Sequence, residues 1–85
     1  MKLANDPVMK EIMEHADKSD ARYGDFASAH EALGVALEEF HELSQCVHDN
    51  MLQGVRAEAI DLAAVCYRLA VQCRLSETMR QRSMK

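Results

Sequence analysis

The stretch that decides the fold is Ala59-Ile60-Asp61-Leu62-Ala63-Ala64-Val65-Cys66-Tyr67-Arg68-Leu69-Ala70-Val71-Gln72-Cys73-Arg74-Leu75. Written on a helix, it is apolar around most of its circumference. One polar stripe breaks it, running from Glu58 through Asp61 to Arg68 and Gln72. A helix that is apolar on several sides is buried on several sides. The whole chain has only 85 residues, enough for one domain of limited core. Such a helix, expected over about 55–80, therefore predicts a subunit interface.

Two further helices precede it. Asp6 can cap and Pro7 suits the first helical position, with Val8, Met9, Ile12, Met13 and Ala16 recurring at helical spacing. This first helix is expected over 7–18, followed by a polar linker from Ser19 to Asp25. The second is expected over 26–49, with an apolar stripe of Leu33, Leu37, Phe40, Val47 and Met51. Gly34 inside it costs helix propensity and suggests close helix packing. Asn50 to Gly54 reads as the turn into the third helix.

Composition agrees with an all-α fold, a short antiparallel helical bundle completed by oligomerisation. Apolar residues make up 48%, aromatics only 5%, and Gly and Pro number three and one. Good helix formers dominate, and the scarcity of aromatics disfavours a strand-rich core. A net charge of −4 argues against a nucleic-acid polymer as partner. No apolar run is long enough to span a bilayer, and the opening Met1-Lys2-Leu3-Ala4-Asn5-Asp6 does not resemble a secretory signal. Cys46, Cys66 and Cys73 are odd in number and contain no CxxC, which reads as reduced core cysteines in a cytoplasmic protein. The late cations Arg68, Arg74, Arg80, Arg82 and Lys85 either complement the dipole of the last helix or sit near bound phosphates.

The chemistry concentrates in the acids. Glu38 and Glu42 lie about 40° apart on the second helix and Glu39 about 60° from Glu42, an arc pointing mostly away from the apolar stripe. Glu58 and Asp61, three apart, share one face of the third helix. Either group alone is what a solvated helix face looks like. Together, and on an otherwise apolar third helix, they predict a divalent-metal site. If the two helices pack antiparallel across their short turn, the acids converge, repel and raise each other's pKa. A hard cation relieves that penalty, and oxygen-only ligands suit Mg²⁺ or Mn²⁺. Glu38-x-x-His41 occurs once only and does not make a di-iron pair; His15, His30, His41 and His48 read as ordinary helix residues.

The segment from Tyr23-Gly24-Asp25-Phe26 through Glu38-Glu39-Phe40-His41-Glu42-Leu43, with Arg56-Ala57-Glu58-Ala59-Ile60-Asp61-Leu62-Ala63-Ala64-Val65, resembles the two metal-binding helices of MazG-like nucleotide pyrophosphohydrolases. The resemblance covers roughly residues 23–72 and rests on EExxE followed by ExxD. It implies the all-α NTP pyrophosphatase fold, a homodimer or homotetramer, and Mg²⁺-dependent cleavage of a nucleoside triphosphate to a monophosphate and pyrophosphate. It also implies a house-cleaning role. By motif position, Glu39, Glu42, Glu58 and Asp61 would be the metal ligands. Glu38 would be an accessory ligand or would orient the attacking water, making Glu38 and Glu39 the catalytic acids. Arg68 is the candidate phosphate contact, or else a structural cation pairing with an acid across the interface. The chain stops where family members often carry further basic or aromatic residues that grip the substrate. That departure keeps open an alternative, a non-catalytic helical interaction or regulatory module with the same fold.

Overall fold

Local signals set the helix ends. The Asp6 carboxylate accepts from the Val8 N–H at 2.9 Å, and Pro7 follows at the first helical position, opening α1 over Pro7–Tyr23. Gly24, at φ +72°, ends it and donates its N–H to the Asp20 carbonyl. Ser28 caps α2, Ala29–His48, by accepting from Glu31 N–H at 3.1 Å, while Glu31 reaches back to the Ala27 N–H. Asn50, at φ 55°, turns the chain in the left-handed region that Asn tolerates, and α3 runs over Leu52–Ser83. The computed structural model describes the backbone of residues 1–83 and the side chains of residues 1–77. The architecture is all-α, with no strand among the described residues.

Three boundaries differ from expectation by three residues or more at a capped or turning end. Helix α2 starts at Ala29 and not at 26, because Ser28 is its cap. Helix α1 continues five residues past Lys18, because nothing between Ser19 and Tyr23 breaks a helix and the left-handed glycine comes only at 24. Helix α3 starts at Leu52, so Gly54 lies inside it rather than in the turn. Its missing side chain matters there: a Cβ would come within 2.8 Å of Cys46 Sγ. Gly34 has no such reason, since a Cβ added to it meets nothing within 4 Å.

Helix α3 is the centre, packed by α2 on one side and α1 on the other. Cys46 lies beside Gly54, Ala32 clusters with Val65, and Phe26 bonds to Gln72, so α2 runs antiparallel to α3. Glu11 meets Arg56, His15 meets Asp61 and Gly24 meets Arg68, so α1 runs parallel to α3 rather than completing an antiparallel bundle. Having neighbours on two sides explains much of the apolar circumference of α3 within one chain.

The core is thin. Buried apolar residues are Ala16, Phe26, Ala32, Ala64 and Val65, three of them alanines. Helix α2 turns Ala32, Val35 and Ala36 inward, and leaves Leu33, Leu37, Phe40 and Val47 each more than half exposed, as is Met51 just beyond its end. Cys66 and Cys73 are also exposed, contrary to the expectation of core positions, because they sit on the side of α3 that neither neighbour covers. All three cysteines are free.

Candidate metal centre

The small inward residues of α2 let its backbone approach α3, and the same face carries Glu39 one turn beyond Val35 and Ala36. On α3, Glu58 and Asp61 project toward it from adjacent turns. One carboxylate oxygen from each of Glu39, Glu58 and Asp61 lies within 4.8 Å of the other two, and all three residues are half-buried. Oxygens facing each other across a small octahedral cation are separated by roughly 4 Å, so modest side-chain adjustment would seat one.

The electrostatics record the crowding. The Glu39 carboxyl is pushed up to about 7, first by burial, then by its hydrogen bond with Glu58 and the charges of Glu42, Asp61 and Glu58. Glu58 is raised as well, chiefly by burial and by a hydrogen bond involving Glu42. Oε2 of Glu39 and Oε2 of Glu58 are buried without a hydrogen-bond partner. Buried carboxylate oxygens lacking donors are costly unless a cation meets them. The donor set, all carboxylate oxygen, fits Mg²⁺ or Mn²⁺.

The predicted acids divide. Glu39, Glu58 and Asp61 come together. Glu42 is exposed at the rim, near enough to raise both Glu39 and Glu58. Glu38 is exposed and belongs neither to the three gathered acids nor to the adjoining cavity. Arg68 lines that cavity, but its Nη2 donates to the Gly24 carbonyl at 2.8 Å and its guanidinium lies 4.5 Å from the centre of the Phe26 ring. Gln72 completes the brace, its side-chain amide accepting from Phe26 N–H and donating to Phe26 C=O. Arg74 is exposed on α3, and the side chains of Arg80, Arg82 and Lys85 lie outside the described residues.

His15 is the residue that sequence reading set aside and the fold recruits. Its Nε2 stands 2.7 Å from Asp61 Oδ1, and its Nδ1 is buried without a partner. Nothing in the sequence pairs α1 with α3 at that register. The available signal was a polar row on α1, Glu11, His15, Lys18 and Arg22, beside the apolar one. His15, Lys18 and Arg22 of that row line a cavity of about 560 Å³ that Glu39 and Asp61 line as well.

The chain matches no protein-family model, and no curated protein or solved structure is significantly similar to it. No helix among the described residues is long and apolar enough to cross a membrane.

Proposed function

We propose that the chain is a Mg²⁺-dependent nucleoside triphosphate pyrophosphohydrolase of the MazG-like kind. It would cleave between the α and β phosphates and serve to clear surplus or non-canonical nucleotides. The observation that carries the reading is the convergence of Glu39, Glu58 and Asp61, two of them with partnerless buried oxygens, where Glu39 and Asp61 also line a cavity large enough for a nucleotide. Those three residues would hold the ion, with Glu42 at the rim. When bound, Mg²⁺ supplies charge neutralisation, a bridge to the phosphates and a lowered pKa for water.

The rest falls to the chain. Glu39, whose carboxyl is pushed up to about 7 by burial and its acidic neighbours, would give up its proton on taking the ion near neutral pH. His15 orients Asp61. The exposed position of Glu38 speaks against a ligand part for it within one protomer. In the net reaction water adds to the α phosphorus, the bond to the bridging oxygen breaks, and pyrophosphate leaves.

A second copy of the chain belongs to the proposal. A folded monomer of 9.6 kDa exposes about 5,100 Å². This chain exposes 6951 Å², an excess of about 1,900 Å². A standard interface buries about 800 Å² on each partner. The four large apolar residues exposed on α2, with Met51 just beyond its end, give that excess a location, and a homodimer or homotetramer would bury them.

Purified protein with Mg²⁺ should release pyrophosphate from at least one member of a broad ribo- and deoxynucleotide panel, and Glu39→Gln or Asp61→Asn should abolish it. Silence across the panel sinks the enzymatic reading. The open α2 stripe then favours the second reading, an interaction module that binds Mg²⁺ without turnover.

A further inference from the structure

The acidic cluster explains how one end of a substrate is held and leaves the rest of the cavity unexplained. That cavity is built largely by α1 and by the loop that follows it. His15, Lys18, Ser19 and Arg22 all line it, at spacings of three and four that put them on one helix face. His15 touches Asp61 and so marks the metal end. Lys18 lies one turn further along and Arg22 one turn beyond that, about 6 Å apart along the axis. Among the described residues neither cation has a carboxylate partner; Arg22 only rests over the neighbouring Tyr23 ring, at 5.1 Å. The third cation of the cavity, Arg68, is committed to the Gly24 carbonyl and the Phe26 ring. Of the acids that share the lining, Glu39 and Asp61 belong to the metal end, and Glu31 accepts from the Ala27 N–H. Asp25 is the remaining anion, on the loop beside Phe26.

Two uncommitted cations, one turn apart on a rigid helix, opposite an acidic cluster across a cavity, suit an extended polyanion that reaches the cluster with a metal ion. We infer that α1 is the polyphosphate-gripping element of the protein, with Lys18 and Arg22 as the residues that hold a triphosphate chain. The inference rests on the metal-centre reading above and assigns the grip to the N-terminal helix, not to residues after α3. Arg68 and Gln72 are positioning residues in this arrangement. They fasten Gly24 and Phe26 to α3, and thereby fix the C-terminal end of α1 that carries Arg22.

The test uses the full chain and inorganic triphosphate with Mg²⁺, which presents the polyanion without base or sugar. Isothermal titration should show binding to the wild type, weakened tenfold or more in Lys18→Gln/Arg22→Gln. Lys18→Arg/Arg22→Lys should restore most of it. Lys10→Gln, on α1 but outside the cavity, should change it less than twofold. Thermal melts and Mg²⁺ titration without triphosphate should be alike in all variants, which separates grip from folding and from the metal site. Undiminished binding in the double glutamine variant overturns the inference, and so does a wild type that binds Mg²⁺ but no triphosphate. Pyrophosphate release is scored separately. Turnover with unimpaired grip in the variant defeats this inference and leaves the hydrolase reading. Grip lost as expected, in a protein with no turnover on any nucleotide, defeats the hydrolase reading and leaves this one.

Discussion

Replacing Glu39 by Gln should stabilise the metal-free protein, the reverse of the usual result for a partly buried polar residue. The Glu39 carboxyl rises from 4.5 to about 7 on folding, so folding opposes its ionisation. At about 1.4 kcal/mol for each tenfold change in proton affinity, the ceiling is about 3 kcal/mol, and partial solvent contact brings it to roughly 1–3 kcal/mol. The sign follows from the raised value. Stability from this group is fully present below pH 4.5, falls as pH rises, and is gone above about 7. Glutamine keeps the shape without the charge. In EDTA at pH 8, Glu39→Gln should melt higher than wild type by about 4 °C or more, and at pH 5 the two should nearly coincide. Adding Mg²⁺ at about 100 times its dissociation constant should raise wild-type stability by about 2.7 kcal/mol, and the variant by far less. Urea denaturation at both pH values, with and without Mg²⁺, checks all four arms. A variant less stable than wild type in EDTA at pH 8 would refute the reasoning, because Glu39 would then be held by hydrogen bonds and not crowded by its neighbours.

Leu37→Glu/Phe40→Glu should abolish the proposed self-association in light scattering without unfolding the chain, since both side chains are more than half exposed in the single chain; a monomeric wild type refutes it. Gly34→Ala should add up to about 1 kcal/mol if α2 is uncovered at that point and should destabilise if another helix lies against it, so urea midpoints decide which. Gly54→Ala sets about 1 kcal/mol of helix propensity against a new Cβ 2.8 Å from Cys46 Sγ, so it should gain less than Gly34→Ala, and Cys46→Ala in the same chain should release the difference in a double-mutant cycle. Gln72→Ala leaves the Phe26 N–H and C=O without their partner and should cost about 1–3 kcal/mol, read by chemical denaturation.

Features encoded locally are legible in the sequence, and features that depend on distant contacts are not. Helix caps are local, so Asp6-Pro7 announced the start of α1 from the sequence. Its end is less legible, because the polar run Ser19 to Arg22 has the composition of a linker and only the left-handed turn at Gly24 closes the helix, five residues beyond Lys18. The acids Glu39, Glu58 and Asp61 were legible because two of them share a helix and the third faces them across a short turn. The apolar stripe of α2 was legible too, but not its destination. Large apolar residues ordinarily mark the packed face, whereas here the alanines pack and the large residues stay open.

By itself the sequence determined the three helices, their approximate ends and the pairing of two acidic motifs across a turn. All of these follow from spacing within one segment or between adjacent ones. Tertiary structure alone decided that α1 lies parallel to α3, because that register depends on contacts between residues some 45 positions apart. From that one docking come His15 at Asp61, the cavity above the acids, and Lys18 and Arg22 on its wall. It also turned Arg68 from a free cation of the polar stripe into a brace on the connecting loop. The carbonyl and ring that engage it belong to a segment whose distance from α3 no periodicity encodes.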